Sequence, residues 1–339
     1  MNAPRIAVVV TGRDRGGALS RCLRSVHGAD WHDLPVEVIY ATDAPLGRDA
    51  ALAALKGARV VRAESLSAHH PVTRGAMRNA GWRATKADTV LFLAADTLLD
   101  RQFPRKALAQ LERHGYAAVR GQCREALPHQ SGYAAVVDLD GLMPAGDALD
   151  CAGDALYRRE ALDEAGGFDP YYIDGEAADL CHRLNAQRWQ IAELDLPMAR
   201  HDDALARFGD YWRRAVRIGE SYAAADARAE GRAAFPHGHA PQRNLAWSAA
   251  LGVALLTFSV LLAVLPQIAW SIAALFAAAL LHTTLNARSN AGDWRLATLY
   301  ALHAHLQQLP ILYGQLAYRS RYAAARARRA ARHQPGEAQ

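Results

Sequence analysis

Residues 5–13, Arg5-Ile6-Ala7-Val8-Val9-Val10-Thr11-Gly12-Arg13, carry an unbroken apolar run into a polar glycine turn. Such a run reads as a buried strand, and Leu19, Cys22, Leu23 and Val26 follow at the spacing of one helix face. The rhythm continues downstream. A second strand is expected at residues 36–41, a helix at 49–56, a short strand at 59–62, a helix at 73–84 and a fourth strand at 89–93. Short β-branched runs alternating with amphipathic helices indicate a parallel sheet covered by helices. In open sheets of this kind the ligand crevice lies beyond the carboxyl ends of the strands. Thr11, Gly12, Arg13, Asp43 and Asp96 are therefore expected to converge there. The first loop contains neither G-x-G-x-x-G nor G-x-x-x-x-G-K-[ST], which disfavours a dinucleotide-binding or P-loop fold.

Residues 117–205 are less periodic, with turns at Gly166-Gly167 and Asp169-Pro170 and an expected helix at 176–187. An amphipathic segment rich in arginine and aromatics follows at 208–222, then a polar linker at 223–243. The next stretch, residues 244–287, holds no Asp, Glu, Lys or Arg. Pro266-Gln267 divides it into two expected transmembrane helices, 245–265 and 267–285, and the first covers roughly 31 Å, close to a bilayer's hydrocarbon thickness. A buried hairpin of a soluble core is the competing interpretation. Beyond Arg295, leucines at 296, 299, 302, 306, 309 and 312 form one apolar stripe, read as an interfacial amphipathic helix within 288–332 because Pro310 and the polar face suit headgroups better than hydrocarbon. Residues 333–339 read as a disordered tail.

The 339 residues include 39 Lys+Arg and 34 Asp+Glu, a formal charge of +5. Much of that excess lies in Arg319, Arg321, Arg326, Arg328, Arg329 and Arg332, where no acid intervenes. A basic run placed directly after apolar segments fits an anionic membrane surface, and no base-reading motif accompanies it, so nucleic acid is not an expected partner. Arg243, Arg288 and this tail put both ends of the hairpin on the cytoplasmic side. The N-terminal run lacks a basic leader and is taken as strand, with the globular part cytoplasmic. Cys22, Cys123, Cys151 and Cys181 form no C-x-x-C pair and read as reduced structural thiols.

In this order the segments resemble those of family 2 glycosyltransferases. Ile6 to Thr11 followed by Leu19-x-x-Cys22-Leu23-x-Ser25-Val26 is similar to the family's first strand and helix. Glu37-Val38-Ile39 leading to Thr42-Asp43 resembles its second strand. Gly75-Ala76-Met77-Arg78-Asn79-Ala80-Gly81 matches its A-R-N-x-G helix, and Leu91-Phe92-Leu93-Ala94-Ala95-Asp96-Thr97 resembles its F-L-D-x-D-T strand end. Tyr157-Arg158-Arg159-Glu160-Ala161-Leu162 through Gly166-Gly167-Phe168-Asp169, then Gly175-Glu176-Ala177-Ala178-Asp179, complete the series.

The resemblance implies a GT-A nucleotide-diphospho-sugar transferase fold, a Rossmann-like mixed α/β sheet, over residues 1–222. It also implies a nucleotide-sugar donor, a Mn2+ or Mg2+ ion, a glycan or polyprenyl-lipid acceptor, and residence at a bacterial inner membrane. A divalent cation stabilises a departing nucleoside diphosphate. Asp96 is the implied metal ligand, completed by His201; Asp43 would bond the nucleobase, Thr11 and Arg13 would line the nucleotide pocket, and Arg78 would face the diphosphate with Asn79 beside it. Plainer roles compete: a strand-end cap for Asp43, a helix cap for Asp96, a surface ion pair for Arg78, a surface imidazole for His201. Trp212, Arg213, Arg214 and Arg217 resemble the family's arginine-aromatic helix near the membrane. Asp138-Leu139-Asp140 is a rival D-x-D match, read as structural.

Two positions depart from the pattern. Ala94 stands where the family has its first metal-motif aspartate, and Ala177 where it has the carboxylate that deprotonates the acceptor. Glu176 and Asp179 remain as catalytic candidates, with Asp174 nearby, yet position 177 is turned about 100° from 176 on a helix. A phosphate acceptor, already ionised, would need little base. A catalytically degenerate relative that binds nucleotide sugar or partner enzymes without turnover is the competing function, and the inverting outcome is implied by resemblance alone.

Overall fold

A computed structural model describes residues 5–44, 47–65, 72–142, 145–148, 151, 153–172, 175–201, 205–228 and 240–332. Asp174, Asp202, Asp203 and residues 333–339 lie outside the described residues, as do the side chains of Arg243, Arg326, Arg328, Arg329 and Arg332. The chain divides into two units, residues 1–204 and 205–339.

In the first unit every residue of β1 (Ile6–Thr11) is buried, because the strand lies inside a sheet covered on both faces. It is paired in parallel with β2 (Val36–Thr42) on one side and β4 (Thr89–Ala94) on the other, and β2 carries β3 (Arg59–Arg62) at the edge. Helices α1 (Ala18–His27), α2 (Arg48–Leu55) and α3 (Arg74–Arg83) connect these strands, close to the ranges expected from periodicity. Thr73 caps α3 by accepting from the Ala76 N–H.

Beyond β4 the sheet changes character. β8 (Ala155–Arg158) runs antiparallel to β4, and β6 (Ala118–Glu125), β9 (Ile191–His201) and β5 (Thr97–Leu99) extend it, giving the order β3-β2-β1-β4-β8-β6-β9-β5. β7 (Gly146–Asp147) pairs with β9. The helices α4 (Phe103–His114), α5 (Gly132–Asp140), α6 (Arg159–Ala165) and α7 (Glu176–Ala186) complete the unit. The mixed sheet bears out the α/β expectation. Much of it was invisible to periodicity, since β6 carries Arg120, Gln122 and Arg124, and β9 is offset by register shifts against β6.

The second unit is helical: α8 (Phe208–Arg228), α9 (Ala240–Val264), α10 (Pro266–Ala291), α11 (Trp294–Leu306) and α12 (Gln308–Arg332). The segment read as the end of the catalytic domain, α8, packs here. Gly219 of α8 and Gly314 of α12 allow the approach, as a Cβ at either would collide with the opposite helix's backbone. The single interfacial helix expected within 288–332 is two helices, because α10 continues to Ala291 and the chain breaks at Gln307. Asn244 donates to Gln315 at 2.8 Å inside the unit, and Tyr211 meets His303 Nδ1 at 2.8 Å.

Candidate functional site

The carboxyl ends of β1, β2 and β4 lie side by side, with Thr11 opposite Ala41 and Ala94. Their loops therefore form one rim, as the topology required. Gly12 leaves β1 at φ 112°, a conformation L side chains rarely adopt, and its carbonyl accepts from the Tyr40 hydroxyl at 2.6 Å. Burial, reinforced by Asp49, pushes the Tyr40 phenol up to about 12, so it remains a donor. Thr11 is buried, and its carbonyl accepts from the Ala95 N–H at 2.8 Å. Arg13 and Asp43 meet across the rim at 3.3 Å, with side chains 80% and 34% exposed. The pair lies open to solvent at the rim.

Asp96 occupies the turn between β4 and β5, half-buried, rather than capping a helix. His201 ends β9, directly opposite Thr97 of β5, and its Nδ1 lies 3.3 Å from the Thr97 hydroxyl. The expected pair thus belongs to one corner of the sheet. A carboxylate that motif reading missed joins it: Asp154, just before β8. Its Oδ1 accepts from the Ala94 N–H at 3.0 Å, its Oδ2 accepts from the Thr97 hydroxyl at 2.5 Å, and His201 Nε2 is 3.8 Å away. Only spatial pairing of β8 with β4 reveals it, because 60 residues separate Asp154 from Ala94.

Burial disfavours the charged form of His201, yet a hydrogen bond with Cys123 and the charges of Asp154 and Asp96 outweigh it, raising the imidazole to about 9. A cation using this ring must displace its proton. Among the described residues no three His, Cys, Asp or Glu side chains converge as a ready-made metal cage. Asp96 and His201 instead fit a cation that takes one or two protein ligands and fills the rest of its shell with phosphate oxygens and water. Cys22 lies behind this corner, donating to the Ala94 carbonyl, and burial with the charges of Asp154 and Asp96 pushes its thiol well up. It is an inert thiol.

The other sequence candidates are turned inward. Arg78 is 2% exposed and bonded to Glu176 Oε1 at 2.6 Å, with its guanidinium 5.2 Å from the centroid of the Phe168 ring. Asp179 accepts two hydrogen bonds from Arg183, at 2.9 and 2.7 Å, and Arg183 also donates to the carbonyls of Ala165 and Gly167. Asn79 donates to the Phe168 carbonyl at 2.6 Å and accepts from the Phe168 N–H and Trp82 Nε1, each at 3.0 Å. These residues join α3, α7 and the Gly166-Gly167 turn. On its other side α3 is seated on β1 at Gly81, where a Cβ would run into Val9. Ala177, at the position lacking a carboxylate, is also buried. Asp138 accepts from Arg124 Nε and the Glu125 N–H, each at 2.8 Å, which makes the rival D-x-D a structural clamp.

Among the described residues of the second unit, two helices are long and apolar enough to cross a membrane, over Asn244–Leu262 and Ala269–Ala291. Only 6% and 11% of their most apolar windows are buried, unlike the core helices of a soluble domain. Leu256, Val253, Trp270 and Leu275 all stand exposed.

Residues 7–166 match the family described as glycosyl transferase family 2. Among solved structures, the mannosyltransferase PcManGT from Pyrobaculum calidifontis, in complex with GDP-Man and Mn2+, is 17% identical at a TM-score of 0.58, covering 89% of this chain and 87% of that one. TarS 1–349 of S. aureus, in complex with UDP, is 13% identical at a TM-score of 0.46, covering 88% of this chain and 91% of its own. The first of these likenesses establishes a shared fold. No curated protein matches the sequence.

Proposed function

We propose that this chain, whose residues 7–166 match glycosyl transferase family 2, transfers a sugar from a nucleoside-diphosphate donor to a lipid-linked phosphate at a membrane, with inversion at the anomeric carbon. The acceptor assignment rests on one observation. Both carboxylates in the first turn of α7 are tied by arginines, Glu176 by Arg78 and Asp179 by Arg183, while residue 177 is an alanine. A sugar hydroxyl would need a base poised near its proton. A phosphate oxygen is already ionised.

The transfer then needs no proton removed. A lone pair on the acceptor phosphate oxygen forms the new bond to the anomeric carbon, while the bond to the donor's diphosphate oxygen breaks and its pair leaves with the nucleoside diphosphate. On the donor side, Asp43 bonds the base, and Thr11 and Arg13 line the nucleotide. Asp96 and His201 would hold a divalent cation, which would supply Lewis-acid stabilisation of the leaving diphosphate. Glu176, Asp179, Arg78 and Asn79 keep α3 and α7 fixed beside that chemistry.

Membrane residence is supported by the two exposed apolar helices, by Arg288 in the last turn of the second and by Arg319 and Arg321 further along the chain, which favours the cytoplasmic face of a bacterial inner membrane. The test is transfer by the detergent-purified chain from UDP- and GDP-sugars with Mn2+ to polyprenyl phosphate and, separately, to oligosaccharides. Product on the phosphate supports the proposal. Product on sugar hydroxyls alone, as an envelope-glycan transferase would give, overturns the acceptor assignment. Nucleotide-sugar binding without product on any acceptor would mark a degenerate relative.

A further inference from the structure

We propose that Asp154 is a positioning residue for the donor-cation corner, supplying from the adjacent strand the second carboxylate that residue 94 does not provide. This inference rests on the donor-site reading above. Asp154 touches both ends of the turn that carries Asp96, through the Ala94 N–H and the Thr97 hydroxyl, and its second oxygen faces His201. Three features of the corner are thereby fixed by one side chain: the entry of the turn, its exit, and the imidazole opposite.

The hydrogen bonds alone do not account for a charged group. Asp154 is 6% exposed, and burying a carboxylate is costly unless positive charge compensates it. An asparagine could accept from the Ala94 N–H and donate to the Thr97 hydroxyl at the same place. The two cationic groups the corner can offer are His201 and an incoming divalent cation. The Asp96 turn contributes one carboxylate, because its residues 94 and 95 are alanines. With Asp154 behind them, the corner regains a second negative charge without any acid in the strand end itself. Supporting groups of this kind typically change metal affinity when removed, by orienting the ligands and raising their basicity.

The experiment uses the full chain in detergent and reads Mn2+ binding by loss of the free-ion EPR signal, with UDP and with GDP present in turn. Asp154→Asn should weaken Mn2+ binding about tenfold or more, with little change in nucleotide binding measured without metal. Installing a carboxylate at the neighbouring strand end, as Ala94→Asp together with Asp154→Asn, should recover most of the affinity. Unchanged Mn2+ affinity in Asp154→Asn, or a folded double variant as weak as the single one, overturns the proposal. Where the single variant does not fold, the double variant decides: recovery of fold and Mn2+ affinity supports the assignment, and failure of both contradicts it. Absence of Mn2+-dependent nucleotide binding in the unmodified chain would instead overturn the donor-site reading, and this inference with it.

Discussion

The donor rim and the α3–α7 junction carry similar residue types in opposite states. Arg13 and Asp43 pair at 3.3 Å at the strand ends with side chains 80% and 34% exposed, whereas Arg78 and Glu176 pair at 2.6 Å with side chains 2% and 3% exposed. A solvent-exposed pair at a strand end is weakly held and can be parted by a ligand. The same two groups between packed helices are consumed by one another. Motif residues therefore divide into a pair open to solvent at the strand ends and a pair packed as a wall between helices, and burial draws the line.

Breaking the wall should have the largest effect. Arg78→Ala leaves Glu176 buried and uncompensated and is expected to cost about 3–5 kcal/mol of stability, while a double Arg78→Met, Glu176→Met variant should be far milder. Chemical denaturation of the single and double variants checks this, and equal losses in both would contradict a paired role. Gly81→Ala should cost about 1–3 kcal/mol by forcing α3 off Val9 of β1, read in the same experiment.

These features were unequally legible in the sequence. The strands and helices of the first half emerged within a residue or two because β-branched runs and helical spacing are local signals. Asp43, Asp96 and Thr11 followed from topology, since strand ends must meet. The burial of Arg78 and Asn79 did not follow, because their partners Glu176 and Phe168 lie 98 and 89 residues away. Asp154 stayed hidden for the same reason. The break at Gln307 also escaped notice, since one apolar stripe is compatible with two successive helices.

Smaller effects sharpen the contrast on the rim. His201 has its pKa raised from 6.5 to about 9 in the fold, so its imidazolium contributes stability present below pH 6.5 and lost as pH rises through 9. Unfolding midpoints of the metal-free chain should decline across that window, by about 1–2 kcal/mol once partial exposure is discounted, and His201→Gln should remove the decline. Asp43→Ala should leave stability within about 0.5 kcal/mol while weakening nucleotide binding, measurable by calorimetry with UDP and GDP. A large stability loss there would place Asp43 in the wall instead.

The central claim is that the wall carboxylates position helices and do not take a proton from the acceptor. Its most direct test is transfer to polyprenyl phosphate by Glu176→Gln and Asp179→Asn variants that remain folded. The account predicts that both retain transfer, while Asp96→Ala, equally folded, loses it. Abolished transfer in folded Glu176→Gln or Asp179→Asn, with donor binding intact, would contradict it.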